Sequence, residues 1–407
     1  MYQFVYYIIF IPVLMYSCYY FVSGLFAFKK YKAYPEVKPK NRFAILIAAR
    51  NEAEVISGLI NSLKGQKYPS DLYDVYVMPN NCTDNTKEVS ISHGAKILEF
   101  KEKITSKGDV LKLAFNYLNN NEEYDAYVVF DADNVVHEEF LGKMNNALEA
   151  GCPVMQGYRD TKNVKDSWIS ASYALFYWGQ NLFFGQSRSL LNSSTNINGT
   201  GFVVKKSIVE EFGFNTKTIT EDIEYTGLCA LNGVRIAFVK EAITYDEQPI
   251  DFKTSWKQRK RWSTGTMECC SRYSMKLLKK FFKTGDMFSL DMGLFYMAPH
   301  VMLVGAGLST VLFAYNMIGV KLYDITAYLY ALNQWFLILC IMFGMGISIL
   351  TIKLSNKSVK AALKGVVMFM VFILSWIPIN IICLFKKTVV WEEIKHSRSI
   401  SLDSIKK

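Results

Sequence analysis

Charge is scarce in this 407-residue chain. Asp, Glu, Lys and Arg together make only 20% of it, against 51% hydrophobic residues. A disordered chain has the opposite balance, so that class is excluded. Mean hydropathy is only +0.12, too low for a chain made entirely of membrane spans. The combination points to a folded domain joined to a few spans. Cysteine pairing is missing too: the eight cysteines are scattered, and only Cys269 and Cys270 are adjacent. That excludes a disulfide framework and gives no metal-type cysteine pairs. Glycine-rich phosphate loops are also missing. Neither GxGxxG nor GxxxxGK followed by Ser or Thr occurs, so neither a dinucleotide fold nor a P-loop is supported.

The charge that is present is unevenly placed. Lys and Arg number 46 against 36 Asp and Glu, a formal net charge of +10. Residues 1–28 carry no charge and are followed at once by Lys29, Lys30 and Lys32. Such a run can cross a hydrocarbon core about 30 Å thick. Its uncharged start and its length do not suit a cleaved signal peptide. The positive flank predicts that the chain after it lies in the cytoplasm. Further runs without Asp, Glu, Lys or Arg cover 292–318, 325–352 and 365–385, the first holding His300 and the last Pro378. Lys353, Lys357, Lys360 and Lys364 lie between the last two runs, and Lys386 and Lys387 follow the final one. Three complete crossings would place the C-terminus outside, whereas these lysines favour inside. One run is therefore expected to be re-entrant or buried against protein, and Pro378 marks the last as the candidate. The expected division is a span at 1–28, a cytoplasmic domain at 29–255, interfacial helices at 256–286, about three spans within 287–385 and a basic tail at 386–407. A multi-pass protein of the plasma membrane follows.

The stretch 256–283 interleaves Lys257, Arg259, Lys260, Arg261, Arg272, Lys276, Lys279, Lys280 and Lys283 with Leu277, Leu278, Phe281 and Phe282. This pattern predicts helix lying at the headgroup level. Its place just before a span favours membrane lipids as its partner and not nucleic acid.

Within 29–255, apolar runs end in polar clusters. Phe43–Ala49 reads as a strand and leads into Arg50-Asn51-Glu52, then a helix on Val55, Ile56, Leu59 and Leu63. Val75–Met78 is a second strand, ending in Pro79-Asn80-Asn81-Cys82-Thr83-Asp84, with a helix over 85–92. Lys96–Phe100 reads as a third strand. Tyr127–Phe130 is a fourth, ending in Asp131-Ala132-Asp133-Asn134. Strands alternating with helices predict an α/β domain with a mainly parallel sheet. Ligands in such sheets sit at the carboxyl ends of the strands, where three of these clusters fall.

Asp131 and Asp133 can both reach one hard cation, Mg²⁺ or Mn²⁺, together with substrate phosphates; the alternative is a solvated turn. Thr220-Glu221-Asp222 reads either as a helix N-cap with acids in its first turn or as a site whose Asp222 is a general base. Gln258, Arg261 and Trp262 are spaced i, i+3 and i+4, on one helical face. Arg261 can fork onto a diphosphate and Trp262 can stack on a sugar ring; a headgroup-binding helix with a belt tryptophan is the other reading.

The three motifs in this order resemble the membrane-integrated family 2 glycosyltransferases that make β-linked polysaccharides such as cellulose, chitin, hyaluronan and poly-N-acetylglucosamine. The resemblance covers nearly the whole chain. It implies a GT-A-type nucleotide-sugar domain and a divalent Mg²⁺ or Mn²⁺ ion. Ala49, Arg50, Asn51 and Glu52 match the first nucleotide-binding loop. Asn80 stands where relatives usually carry a uracil-contacting Asp, and Asp84 is the alternative for that contact. Lys107 with Gly108 resembles the lysine-glycine loop near the nucleotide. Asp131 and Asp133 match the metal and diphosphate motif. Asn198, Gly199, Thr200 and Gly201 take the place of the acceptor loop. Glu221 and Asp222 are implied as catalytic, with Asp222 the base. Gln258 and Arg261 fall on the donor side and Trp262 on the acceptor side. The implied partners are a UDP-sugar, with glucose favoured over N-acetylglucosamine, and the growing end of a polysaccharide. A single transfer to a lipid carrier is the competing reading.

Overall fold

The computed structural model describes residues 2–317 and 341–386, together with Leu402 and Ser404. The start of the 325–352 run and nearly all of the basic tail lie outside the described residues. The chain opens with α1 (Tyr2–Gly24), then β1 (Phe43–Ala49), α2 (Ile56–Lys64), β2 (Tyr73–Pro79), α3 (Thr86–Ser92), β3 (Lys96–Ile97) and α4 (Lys107–Asn121). It continues through β4 (Ala126–Asp131), β5 (Val135–Val136), α5 (Phe140–Glu149), β6 (Val154–Thr161) and α6 (Trp168–Gly179). A π-helical stretch (Gln180–Gln186) joins α6 to α7 (Ser187–Leu190), followed by β7 (Phe202–Lys205), α8 (Lys206–Phe212), α9 (Glu221–Asn232) and β8 (Ile236–Asp246). The last helices are α10 (Phe252–Cys269), α11 (Met275–Thr284), α12 (Met287–Met317), α13 (Ile341–Leu354), α14 (Val359–Leu374) and α15 (Trp376–Phe385).

Residues of β1 alternate between two cores. Phe43, Ile45, Ile47 and Ala49 face one cluster, and Ala44 and Leu46 face the other. That is the two-residue period of a strand buried on both faces. Helices α2 and α5 close the first core through Ile56, Leu59, Ile60, Phe140 and Met144. Helices α4 and α9 close the second through Leu111, Phe115, Tyr225 and Cys229, and Leu277, Met292 and Tyr296 of α11 and α12 extend it. Each such side chain contributes about 1.5–3 kcal/mol on burial.

The sheet order is β3-β2-β1-β4-β7-β6-β8-β5. Strands β3, β2, β1 and β4 are parallel, as the alternating pattern predicts. Beyond β4 the sheet turns mixed, because β7 runs antiparallel to both β4 and β6. The expected third strand is cut to two residues. It holds one edge of the sheet, and Glu99 leaves it to pair with Lys87 at 2.6 Å.

Among the described residues, three helices are long and apolar enough to cross a membrane: Tyr6–Phe28, Met287–Val311 and Val359–Phe385. The third is packed against protein along its length. Ala362 and Val366 meet Ala174 and Trp178 of α6, Phe372 meets Ile169 and Tyr173, and Ile379 and Cys383 meet Met267 of α10. It breaks at Ser375, where Pro378 has no N–H for the Leu374 carbonyl. Arg259 fills the gap, donating from Nη1 to the Phe372 carbonyl at 2.9 Å and to Ser375 Oγ at 2.6 Å.

Three residues expected to face headgroups or a membrane flank are instead joints of the fold. Arg259 is fully buried under Phe372. Lys280 donates to the Ala230 and Leu231 carbonyls at the end of α9, where cations are favoured. Lys357 pairs with buried Asp160 at 2.5 Å. A further joint holds α1: Arg188 of α7 forms a two-pronged pair with Asp291 of α12, both distances 3.0 Å, and Tyr19 donates to the same carboxylate.

Candidate active site

The loops after β1 and β2 interlock. The Asn80 N–H donates to the Ala49 carbonyl at 2.9 Å, and Arg50 Nε donates to the Asn80 carbonyl at 3.2 Å. Asn51, at a φ of +56°, accepts the Thr83 N–H at 2.8 Å. Asp84 accepts from the Ala53 N–H and from Thr86 through both N–H and hydroxyl. Burial works against its charge, but those hydrogen bonds hold its carboxyl below the usual range. These contacts make a wall. Glu52 lines the adjacent cavity, whereas Ala49, Arg50, Asn51, Asn80 and Asp84 are not among its lining residues. The Asp84 oxygens also hold the loop and the start of α3.

The cavity itself, about 410 Å³, gathers residues spread along the chain. Lys107, Asp131, Asp133, Asn198, Gly199, Glu221, Asp222, Gln258, Arg261 and Trp262 all line it. Thr200 and Gly201 do not; they are buried supports. The Asp131 N–H donates to Thr200 Oγ1, which in turn bonds Asn134, and the Gly201 N–H donates to the Val129 carbonyl. Gly199 sits at φ +82°, and a Cβ there would lie 3.2 Å from Asp222 Oδ2. Glycine adopts that backbone without strain and leaves that space open.

Lys107 joins the two acid motifs. Its Nζ lies 2.5 Å from Asp131 Oδ1, 2.6 Å from the Gly199 carbonyl and 3.7 Å from Glu221 Oε1. Burial opposes its charge, but Asp131 and Glu221 outweigh burial and raise its pKa. Gly108 lets α4 come this close, since a Cβ there would meet Thr216 Oγ1 at 2.6 Å.

Thr220 occupies the N-cap position of α9 but makes no side-chain capping bond, and its Oγ1 is buried without a partner. The local shape comes from Glu224 instead, whose carboxylate accepts the Lys217 and Thr218 N–H groups at 2.6 Å each. Burial pushes Glu221 up to about 7, with Lys107 pulling the other way and Asp222 adding to the rise. Burial also raises Asp222, against the Ile223 N–H, Lys107 and Arg261. A carboxylate raised by burial beside an open cavity is suited to general-base work.

Several lining residues carry no spacing signal. Arg159, at the end of β6, pairs with Asp246 at the end of β8 through Nε at 2.7 Å, and its Nη1 donates to the Asn198 carbonyl at 2.7 Å. Burial pushes Asp246 up to about 6 in spite of that pair. A lone Arg and a lone Asp 87 residues apart give no motif; their only sign is charge at the end of an apolar strand. Trp376, from the last apolar run, stacks on Trp262 at 6.4 Å and 25°. Phe176 and Tyr177 of α6 complete an aromatic mouth.

Asp131 and Asp133 supply hard carboxylate oxygens. Asp133 Oδ2 accepts the Glu247 N–H at 2.9 Å, which fixes its direction. Among the described residues no group of three or more His, Cys, Asp or Glu forms an all-protein metal cage. Two carboxylates fit Mg²⁺ or Mn²⁺ held jointly with substrate phosphates.

The sequence profile described as glycosyltransferase-like family 2 matches residues 39–265. The chain belongs to this family. The match covers the sheet, both acid motifs and the Gln258–Trp262 motif. Among similar family members, the probable glycosyltransferase YdaM of Bacillus subtilis is 27% identical over 293 residues, 69% of this chain and 68% of that protein. A poly-β-1,6-N-acetyl-D-glucosamine synthase of Staphylococcus aureus is 27% identical over 296 residues, 69% of this chain and 68% of that protein. A β-monoglucosyldiacylglycerol synthase of a Nostoc species is 24% identical over 264 residues, 64% of this chain; the match spans only 56% of that protein. A mannosyltransferase from Pyrobaculum calidifontis, solved with GDP-Man and Mn²⁺, superposes with a TM-score of 0.60 at 15% identity, covering 91% of this chain and 99% of its own. The fold is GT-A, and the family 2 chain is a nucleotide-sugar-dependent glycosyltransferase.

Proposed function

We propose that this family 2 enzyme transfers a sugar, glucose in the favoured form, from a UDP-sugar to the growing end of a β-linked polysaccharide with inversion at the anomeric carbon. One observation carries the reading: Asp222 and the stacked Trp262–Trp376 pair line the same cavity, which continues along α12 and α15. The donor lies at the strand ends with its diphosphate toward Lys107 and Arg261. Asp131 and Asp133 would hold a divalent ion, which would supply positive charge for the departing diphosphate. The acceptor terminus stacks on Trp262, its hydroxyl directed at Asp222. Asp222 takes the hydroxyl proton as that oxygen bonds the anomeric carbon from the face opposite UDP. The carbon–oxygen bond to UDP breaks, and UDP leaves as the anion. Arg261 and Lys107 stabilise that anion. The catalytic domain lies on the cytoplasmic side, where UDP-sugars are made, and the cavity gives the product a route toward the spans.

A second reading has its own support. Phe295, Ala298, Met302 and Ile373 make the far wall of the cavity apolar, which suits the tail of a lipid acceptor. Incubating the purified full chain with single UDP-sugars, then sizing and linkage analysis of the product, tests both. A β-linked polymer is expected. A product of one sugar on a lipid replaces the polymer reading, and release of no UDP from any UDP-sugar refutes both.

A further inference from the structure

The acceptor side of the cavity contains polar atoms that the chemistry above leaves unused. Asn380 lies on α15, one turn beyond Trp376. It is 2% exposed, its Oδ1 has no partner, and its Nδ2 meets only Met302 Sδ of α12 at 3.5 Å. Ser263, next to Trp262 on α10, is equally buried, and its Oγ has no partner. Both residues line the cavity. The cavity is also lined by Met302, Ile373, Pro299 and Trp376, and neither atom finds a hydrogen-bond partner. Buried polar atoms are almost always paired, so two orphans on one cavity wall call for an explanation. One helical turn is about 5.4 Å of axial rise, so Asn380 stands a single turn past Trp376 of the aromatic pair.

We infer that Asn380 and Ser263 form a hydroxyl-binding subsite for the second sugar of the acceptor, directly behind the residue stacked on Trp262. This rests on the proposed glycan acceptor and sharpens it. An amide oxygen accepts from one sugar hydroxyl, and the serine hydroxyl both donates and accepts. A lipid tail would leave both atoms unpaired in an apolar surrounding, which disfavours it at this point of the cavity. A site built to hydrogen-bond a hydroxyl rejects a ligand lacking it. The smallest good acceptor is then a disaccharide.

The test measures kcat/KM of the full chain in detergent for β-linked acceptors of one to four sugars, with saturating UDP-sugar. For the wild type, kcat/KM is expected to rise at least tenfold from one sugar to two, then level off. In Asn380→Leu and in Ser263→Ala the ratio of disaccharide to monosaccharide efficiency is expected to fall by about tenfold. A disaccharide acceptor with single hydroxyls of its second sugar removed one at a time is expected to reproduce that fall on the wild-type enzyme, so the outcome does not depend on variants that fold poorly. UDP titration of each variant reports an intact donor site. A wild-type ratio near one, or equal losses for mono- and disaccharides in both variants, overturns the subsite while leaving the polymer reading intact. Transfer to a lipid with none to any oligosaccharide overturns the subsite and the glycan acceptor together.

Discussion

The Lys107 ammonium lies 2.5 Å from Asp131 Oδ1, so one half of the metal motif is neutralised by the protein itself. The same ammonium is 3.7 Å from Glu221. It therefore counts charge for both acid motifs at once. Replacement by Met, similar in length and uncharged, leaves both carboxylates facing each other across the cavity. We expect Lys107→Met to weaken UDP binding by at least tenfold, since charge-assisted contacts to phosphate are the strong ones. Calorimetric titration with UDP and Mn²⁺ checks this. Undiminished affinity would remove Lys107 from the donor site.

Asp222 is the lining carboxylate next to Gly199 of the acceptor loop, 3.2 Å from where a Cβ on that glycine would stand. Asp222→Asn keeps the shape and removes the proposed base. Transfer is expected to drop by about 10²–10⁴-fold, with UDP affinity within a few-fold of wild type. Radiolabelled sugar incorporation alongside UDP titration separates the two. Transfer at the wild-type rate in this variant would reassign the base.

Much of this site was legible in the residue order. Strand-end clusters at Arg50–Glu52, Asn80–Asp84 and Asp131–Asp133 could be placed because a parallel sheet presents its strand ends together. Glu221, Asp222, Gln258, Arg261 and Trp262 were legible as motifs, and they do line one cavity. Three features were not legible, for physical reasons. Pairing of Arg159 with Asp246 depends on β6 lying beside β8, a neighbour relation that no local pattern encodes. Trp376 belongs to a run whose composition says membrane span, and packing against α6 and α10 is invisible to composition. Arg259 looked like a headgroup-facing residue because it sits among Lys257, Lys260 and Arg261. Its helical phase turns it the opposite way from Arg261, into the break at Ser375.

The two buried acids predict opposite pH effects on rate and on stability. In the proposed role Asp222 works only when ionised, and burial raises its pKa. The acid limb of kcat/KM is therefore expected above the ordinary carboxylate range. Glu221, pushed up to about 7 by burial, binds its proton more tightly in the folded chain than in the unfolded one, whose pKa is about 4.3. Its contribution to stability is complete below that unfolded value and is lost as pH rises through about 7. Melting temperature is thus expected to fall between pH 5 and 8. Glu221→Gln should flatten that fall. A wild-type melting temperature that climbs over the same interval would show that Glu221 is not carrying its proton there.

Trp262 meets Trp376 in a stacked pair and Tyr173 edge-on at 6.0 Å. Trp262→Ala removes the proposed platform for the acceptor terminus while leaving Arg261, the proposed donor contact, in place. We expect a higher acceptor KM and shorter products, with hydrolysis of the UDP-sugar by water persisting. Product sizing against released UDP gives the comparison. Loss of hydrolysis and transfer in equal measure would place Trp262 on the donor instead.

Arg188 and Asp291 hold α7 to α12, and Tyr19 brings in α1. Both charged side chains are buried, at 1% exposure each. Neither charge touches the cavity, so the pair bears on assembly and not on chemistry. Removing one partner strands the other charge, a cost of about 3–5 kcal/mol. Replacing both by apolar groups of similar volume strands nothing and is often neutral. Asp291→Leu is therefore expected to lower the melting temperature in detergent sharply, and Arg188→Met with Asp291→Leu to recover most of the loss. The intact pair has a second effect through Tyr19: with its acceptor gone, α1 loses a polar tie to the rest of the chain, so protease cleavage between α1 and β1 should quicken in the single variant. A double variant as unstable as the single one would mean that the pair is net stabilising in its own right, through the hydrogen bonds that Phe183 and Tyr19 add to it.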